Sequence, residues 1–381
     1  MRDSEEGTDQ PTRERDPGGA DREDHPPSRE RSLPGGRRLP EEERGQSERA
    51  DRTQSRGVVD PVKSRFAGEY DLYDLATWEA RSGLDRFAVS VADSLRTIRS
   101  RLLITTALVL FLGQIALAGV LVIDQPVLGV LAALSVVPAL FVALTLWYWD
   151  PTTREPVELI AITFLLSILF ASFAATVNTL VRPEFAVLGG AGVILFYFLV
   201  VGPIEETVKW LAIRVRAYNS DAFRTVLDGV VYGAIAGLGF AAIENFIYVV
   251  GASVESAQVG GAGGVGSATL TAAARAFVGP GHVVFSAWAG FYLGLAKFNP
   301  DNWAPIVVKG LLIAAFIHAL YNSLVGVVPA VLAAVGIPPG LAFIGFVLGY
   351  QSFWFGLLYR KVLAYRAYYE SISPAKLTSG T

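Results

Sequence analysis

The chain has 381 residues, of which 52% are hydrophobic, and its mean hydropathy is +0.42. An ordinary soluble domain is less apolar, so the composition predicts a membrane protein. The formal net charge of −3 neither indicates nor excludes binding to nucleic acid. Because no basic patch with interleaved aromatic residues occurs, we expect no nucleic-acid partner. Cysteine is absent, which excludes disulfides, thiol catalysis and cysteine-ligated zinc.

The N-terminal part of the chain differs in composition from the rest. Residues 1–60 carry 28 of the 67 charged side chains. Because residues 1–65 hold few large apolar side chains, we predict a disordered, charged cytoplasmic tail. Residues 66–101 regain aromatic residues and are predicted to form an amphipathic juxtamembrane segment. Its apolar residues recur at helical spacing: Leu84, Phe87, Ala88, Val91 and Leu95.

Residues 102–359 form the predicted transmembrane body. Eight of its apolar segments are long enough to cross ~30 Å of hydrocarbon. They lie at about 102–123, 127–149, 157–180, 187–213, 226–250, 275–297, 304–325 and 338–359. Arg and Lys residues between them fall mostly on the side of the N-terminus, so both termini, including the tail 360–381, are predicted to be cytoplasmic. We therefore expect an all-α polytopic protein with about eight spans in the lipid bilayer of the cell membrane.

Small residues have a regular pattern in the later spans. Glycines recur four residues apart, which lets helices approach closely in lipid. They are Gly229, Gly233 and Gly237, then Gly290 and Gly294, then Gly345 and Gly349. Residues 251–274 are rich in Gly, Ala and Ser and are predicted to form a mobile external loop.

Few polar side chains lie within the apolar segments, and such residues mark functional sites in membrane proteins. They are Glu205, Glu206, Lys209, Glu244, Asn245, His282, His318 and Asn322. Glu205 and Glu206 are ~100° apart on a helix, so we expect that they cannot both face the same site. One should pair with Lys209 or a neighbouring helix, and the other should face a cavity. Gly202-Pro203 directly precedes them and is expected to break the helix.

The remaining polar residues suggest partners for these carboxylates. His318 and Asn322 share one helix face and could present two donors to an oxyanion, or form an ordinary interhelical hydrogen bond. Arg275 lies on the same face as His282 and could pair with Glu244, beside which lies Asn245. This set can supply a base for water, an oxyanion site and an acid for a leaving amine.

The sequence lacks the motifs of several other classes of enzyme. No phosphate loop, serine nucleophile motif or HExxH zinc helix occurs. We predict no cofactor and no metal, although His282, His318 and Glu205 could in principle hold one. A transporter or membrane scaffold could use the same buried residues for ion coupling or packing.

Four of these elements together resemble the PrsW family of intramembrane proteases. Glu205-Glu206-Thr207-Val208-Lys209 resembles its EExxK motif, and the glycine-rich run from Asp228 to Glu244-Asn245 resembles its FxxxEN element. His282 and the pair His318 and Asn322 resemble its later histidine motifs. The resemblance covers residues 186–325. The family is similar to the CAAX protease and bacteriocin-processing superfamily, but Lys209 and Glu244 differ from that group's arginine and histidine, which disfavours prenyl-protein processing.

The resemblance implies a glutamic-type protease that acts on a membrane-anchored protein, such as one resembling an anti-sigma factor. It implies catalytic roles for Glu205, Glu206, Glu244, His282, His318 and Asn322, with Lys209, Asn245 and Arg275 in support. The predicted topology places the glutamate pair near the inner end of its span and Glu244, His282 and His318 nearer the outer ends of theirs. A helix break at Gly202-Pro203 would reconcile the two. The sequence leaves the oligomeric state open.

Overall fold

A computed structural model describes residues 37–38, 60–95, 125–150, 154–258 and 264–372, together with single residues between 108 and 124. Three segments lie mostly or entirely outside the described residues. They are the predicted tail 1–65, the first predicted span 102–123 and the final residues 373–381. The domain boundaries and the placement of both termini in the cytoplasm stay predictions.

The described chain is almost entirely helical. In chain order its α-helices are α1 (Pro61–Phe66), α2 (Gly83–Leu95), α3 (Pro126–Trp149), α4 (Val157–Ala186), α5 (Gly189–Phe196), α6 (Gly202–Val215), α7 (Val226–Gln258), α8 (Gly264–Lys297), α9 (Trp303–Leu324), α10 (Val327–Ala334) and α11 (Pro339–Ile372). A π-helix (Tyr197–Val201) joins α5 to α6, and short 3₁₀ helices lie at Ala217–Asn219 and Pro300–Asn302. Two short strands, β1 (Arg37–Arg38) and β2 (Tyr70–Asp71), pair antiparallel.

Six helical segments are long and apolar enough to cross a membrane. They are Pro126–Trp149, Val157–Ala186, Gly189–Asn219, Val226–Gln258, Pro300–Ala334 and Pro339–Ile372. Each contains or closely matches one of the predicted spans, so the prediction of an all-α membrane protein is confirmed. The count of eight spans stays a prediction. Helix α8 contains the predicted span 275–297 but is not among the six, because its glycines, Arg275 and His282 lower its mean hydropathy.

Helices α7 and α8 form the centre of the bundle. Residues 226–241 of the first and 279–296 of the second are buried throughout. Their contact follows the glycine pattern: a methyl group at Gly237 would lie 2.3 Å from the His282 carbonyl oxygen. The predicted close packing is therefore present between α7 and α8. It is not seen at Gly345 and Gly349 on α11, where a methyl group would meet no atom of the described residues within 4 Å.

The predicted external loop 251–274 is wrong over most of its length. Helix α7 continues to Gln258 and α8 begins at Gly264. Alanine has the highest helix propensity of any residue, and the stretch between Gly264 and Arg275 is rich in it. Both helices therefore extend beyond the length needed to cross hydrocarbon.

The segment before the spans packs against the body of the protein. On α2, Ala88 and Ala92 pack against Ala304 and Val308 of α9, as expected for the predicted amphipathic helix. Phe87 points away and is exposed. Helix α1 is capped by Asp60, whose side chain accepts hydrogen bonds from the backbone of α1 and of α7 and from Tyr365. The N-terminal segment is thus fixed to three helices of the bundle.

Candidate active site

The glutamate pair follows an irregular turn. The π-helix ends directly before Gly202, where α6 starts with Pro203 in its first turn. A methyl group at Gly202 would lie 2.6 Å from the Ala315 carbonyl oxygen, so glycine lets α6 approach α9 closely here. Proline lacks an N–H group and cannot continue the hydrogen-bond ladder of the preceding turn. The predicted irregularity at Gly202-Pro203 is therefore present, and π-helical turns of this kind are frequent at functional sites.

Glu206 is enclosed by hydrogen-bond donors. Its side chain is fully buried and pairs with Lys209 at 2.7 Å. Nδ1 of His318 lies 2.9 Å from the same carboxylate oxygen, and Ser286 donates to the other oxygen at 3.2 Å. A buried ion pair is stable only when further hydrogen bonds satisfy both charges, as these do. Glu206 is thus positioned to hold Lys209 and His318.

Glu205 has different surroundings. Asn178 of α4 donates a hydrogen bond to its Oε1 at 3.0 Å. Its Oε2 is buried without a hydrogen-bond partner among the described residues and lies 3.7 Å from Nε2 of His318. That distance is too long for a hydrogen bond. Glu205 therefore presents one unsatisfied oxygen beside an imidazole nitrogen.

The two glutamates do not both face the cavity, as expected: Glu205 lines it and Glu206 does not, although both approach His318. Both reach the ring of His318, Glu206 at Nδ1 and Glu205 toward Nε2. The ~100° between them is spanned because the imidazole lies between the two carboxylates and presents one nitrogen to each. The expected division of roles is thus present, with one carboxylate on Lys209 and the other on a cavity.

A second group of charges lies on α7 and α8. Arg275 binds Glu244 at 2.5 Å and the side-chain oxygen of Asn245 at 2.8 Å, as the sequence suggested. Nε2 of His282 lies 2.6 Å from the same Glu244 carboxylate. Nδ1 of His282 lies 3.1 Å from Nζ of Lys209, which can only donate. His282 thus connects the Glu244 group to the Glu206 group.

These groups border one cavity of about 910 Å³. Five of the six predicted catalytic residues line it, namely Glu205, Glu244, His282, His318 and Asn322. Glu206 lies behind His318, and Lys209 and Asn245 lie behind His282 and Arg275. The sequence-predicted residues therefore converge from four helices on one site, although their individual roles stay predictions.

Sequence reasoning missed two side chains of the site. Asn178 is the hydrogen-bond donor to Glu205, and Ser286 is a donor to Glu206. Asn178 is an amide within an apolar segment and could have been singled out by the same criterion as Asn245. Ser286 gave no such signal, since serine is common inside membrane helices.

Comparison with known proteins decides the family. Residues 155–351, just over half of the chain, match the model of a family described as PrsW family intramembrane metalloprotease. The chain belongs to the PrsW family. It is 30% identical to Protease PrsW of Bacillus subtilis (strain 168) over 177 residues, 45% of this chain and 72% of that protein. Protease PrsW of Geobacillus kaustophilus (strain HTA426) is 30% identical over 176 residues, 46% of this chain and 70% of its own.

A third relative extends the match. Protease PrsW of Oceanobacillus iheyensis is 27% identical over 195 residues, which are 51% of this chain and 82% of that protein. No solved structure matches the chain significantly. As a PrsW-family member the chain is an intramembrane peptide hydrolase, which confirms the predicted family and activity. The comparisons favour this interpretation over a transporter or scaffold, and the link to the CAAX protease superfamily stays a prediction.

Proposed function

We propose that this chain cleaves peptide bonds of membrane-anchored proteins in the cell membrane, with water activated at Glu205. Oε2 of Glu205 supports this most directly, because it is a buried acceptor beside the cavity to which no residue of the described chain donates. Glu206 is the weaker candidate for the base, since Lys209, His318 and Ser286 already bind both of its oxygens. A substrate similar to an anti-sigma factor stays a prediction.

In this proposal Oε2 of Glu205 takes a proton from water as the water oxygen attacks the scissile carbonyl carbon. Glu205 then passes this proton to the amine nitrogen as the carbon–nitrogen bond breaks. Asn178 holds the carboxylate in place through Oε1. The two steps leave Glu205 unchanged and yield one carboxylic acid and one amine.

Asn322 is the proposed donor to the oxyanion. It follows His318 by one helical turn and lines the same cavity. A neutral His318 has a single N–H group, and Glu206 lies at its Nδ1 to accept it. His318 in that state cannot also donate to the oxyanion, so the amide of Asn322 supplies this hydrogen bond.

The site also has room for a cation. Glu205, His282 and His318 each offer one ligand atom, and these atoms lie within 4.8 Å of one another. The carboxylates of Glu205, Glu206 and Glu244 outnumber the permanent cations Lys209 and Arg275 by one. A buried negative charge without compensation is costly. Two imidazoles, one carboxylate and an open position are the donor set of a catalytic zinc site.

A divalent metal therefore fits these residues, in agreement with the description of the matched family as metalloprotease. In that case the free oxygen of Glu205 would be a metal ligand, and the metal would take over from Glu205 the activation of water. Such an ion would make bound water nucleophilic at neutral pH and would polarise the scissile carbonyl. Lys209 lies at Nδ1 of His282 and Glu244 lies 2.6 Å from its Nε2. A metal bound through Nε2 would therefore displace Glu244 from His282, and Glu244 would keep its pairing with Arg275. Glu206 would hold His318 through Nδ1, as carboxylates commonly do for metal-bound histidines.

The decisive experiment measures cleavage of a panel of single-span membrane proteins, tagged at both ends, by the purified full-length chain in nanodiscs. Glu205→Gln should lower the cleavage rate by about 10²- to 10⁴-fold, because the base is lost. The matched control Glu184→Gln changes an exposed carboxylate of α4 and should leave the rate unchanged. Full activity of Glu205→Gln would refute the proposal.

Metal content separates the two parts of the proposal. We expect about one equivalent of bound metal in the wild type, loss of activity with a chelator, and loss of the metal in His318→Ala. If the metal-free wild type cleaves at the full rate, the metal assignment is wrong and the assignment of Glu205 as base stands.

A further inference from the structure

Three carboxylates meet at one end of the bundle, away from the site described above. Asp150 directly follows α3, Glu155 precedes α4 by two residues, and Asp228 lies in the first turn of α7. Each offers one oxygen, and these oxygens lie within 4.8 Å of one another. The predicted topology places this end of the bundle in the cytoplasm.

Glu155 is the unusual member of this cluster. Its side chain is 4% exposed, and neither carboxylate oxygen has an N–H donor from another described residue; its near neighbour is a second carboxyl group, that of Asp150. Burial and the neighbouring charge of Asp150 raise its pKa to about 8. Burying a carboxylate without a donor is costly, so such groups are normally paired or bound to a metal.

Ordinary helix capping accounts for Asp228 but not for Glu155. Asp228 accepts hydrogen bonds from the backbone N–H groups of Arg224 and Thr225 and from the Thr225 hydroxyl. It thereby closes the first turn of α7. Glu155 makes no such bond to the first turn of α4, although it is aimed at the same point between the helices.

We propose that Asp150, Glu155 and Asp228 bind a hard divalent cation, Mg²⁺ or Ca²⁺. The three described side chains of the cluster offer only oxygen atoms, which these ions prefer over the nitrogen and sulfur ligands of zinc. The ion would displace the proton that Glu155 holds at neutral pH, and would hold the end of α3 and the starts of α4 and α7 together. Helix α4 carries Asn178 and α7 carries Glu244, so this cation would fix two walls of the protease cavity.

Thermal unfolding of the full-length, chelator-treated chain in detergent tests this proposal. MgCl₂ or CaCl₂ should raise the unfolding temperature saturably, by about 5 °C at a hundredfold excess over Kd. Glu205→Gln should respond as the wild type does, because it alters only the protease site. Glu155→Gln should lose the response, whereas Glu158→Gln, an exposed carboxylate three residues further on, should keep it.

A direct binding measurement keeps the test valid if Glu155→Gln does not fold. Tb³⁺ added to Glu205→Gln should give luminescence sensitised by Tyr232, one turn after Asp228, or by Trp147, and Ca²⁺ should displace it. Asp150→Asn should lower the Tb³⁺ affinity at least tenfold. The proposal is overturned if neither Mg²⁺ nor Ca²⁺ changes the unfolding temperature of the wild type. It is equally overturned if Tb³⁺ gives no saturable signal, or if Glu155→Gln responds as the wild type does.

Discussion

The hydrogen bond from Asn178 to Oε1 of Glu205 determines which oxygen of that carboxylate faces the cavity. Without it, the side chain of Glu205 could rotate, since His318 lies too far away to hold it. The Asn178 side-chain oxygen is itself buried and accepts no hydrogen bond within the described part of the chain. Asn178 therefore acts as a positioning residue for the proposed base.

Asn178→Ala should lower the cleavage rate about tenfold, because loss of one hydrogen bond to a charged group costs about 1.5 kcal/mol. The measurement is kcat and KM for one membrane-anchored substrate. We expect the change in kcat, since Asn178 acts on Glu205 and not on the bound peptide.

Thr176→Ala on the same helix is the control for this change. The Thr176 hydroxyl donates to the Ser172 carbonyl one turn back, away from Glu205. If both variants lose the same activity, the effect of Asn178 comes from the helix and not from its hydrogen bond.

Charged residues of the site could be found from the sequence, and their neutral partners mostly could not. Glu205, Glu206, Lys209 and Glu244 are costly in an apolar segment, so their presence there already indicates a function. A single serine such as Ser286 is ordinary in a membrane helix. The contact of both glutamates with His318 was also unpredictable, because it depends on where α9 packs.

At the level of helices, α7 and α8 can approach closely because the residues at their contact are glycines, which have no side chain. The backbones approach so closely at Gly237 that the His282 carbonyl oxygen occupies the place of a methyl group. This contact also places His282 opposite the α7 residues that precede Glu244. Helix packing and site geometry are thus coupled.

Gly237→Ala should destabilise the fold by about 1–3 kcal/mol, the range for overpacking a close contact. It should also lower activity, since α8 must move together with His282. The apparent unfolding temperature and the cleavage rate are the measurements.

Gly345→Ala on α11 is the matched control. A methyl group there meets no atom of the described residues within 4 Å, and replacing glycine within a helix stabilises it by about 0.5–1 kcal/mol. Equal destabilisation by both changes would contradict the role assigned to the α7–α8 contact.

The pattern of apolar residues predicted the helices but not their irregularities. The π-helix Tyr197–Val201 is uniformly apolar, so periodicity carries no sign of its wider turn. Only the following Gly202-Pro203 indicated a break. The C-terminal end of α7 and the N-terminal start of α8 were not predicted, because glycine and serine in residues 251–274 indicate a loop whereas the alanines there favour a helix.

For the molecule as a whole, charges connect the N-terminal segment to the bundle. Asp74 binds Lys309 of α9 and Lys361 of α11, and it accepts a hydrogen bond from Tyr292 of α8. Asp85 binds Lys309 at 2.8 Å. Distant parts of the chain are thus held by a few buried or half-buried ion pairs, which sequence patterns do not reveal.

Asp85 should make this attachment sensitive to acid. Burial raises its pKa, but hydrogen bonds from Lys309 and Tyr73 outweigh burial and hold the pKa below its usual range. A lowered folded-state pKa gives stability above the unfolded value of about 4, and this stability is lost as pH falls through the folded value. The unfolding temperature of the wild type should therefore fall more steeply from pH 5 to 3 than that of Asp85→Asn.

Glu79→Gln serves as the control for acid sensitivity. Its carboxylate is exposed and pairs only with the surface residue Arg81 among the described side chains, so the variant should follow the wild type. Identical pH profiles for the wild type and Asp85→Asn would show that Asp85 does not contribute.

The burial of α8 has a consequence for how the protein is made. Residues 279–296 have no face toward lipid, and the helix is less hydrophobic than the six candidate spans. Helix α8 contains a histidine, an arginine and many glycines. Its transfer by itself from the insertion machinery into lipid is therefore only weakly favourable. We therefore expect α8 to be released into the bilayer only together with α7, as a preassembled hairpin, with α9 and α11 closing around it later in synthesis.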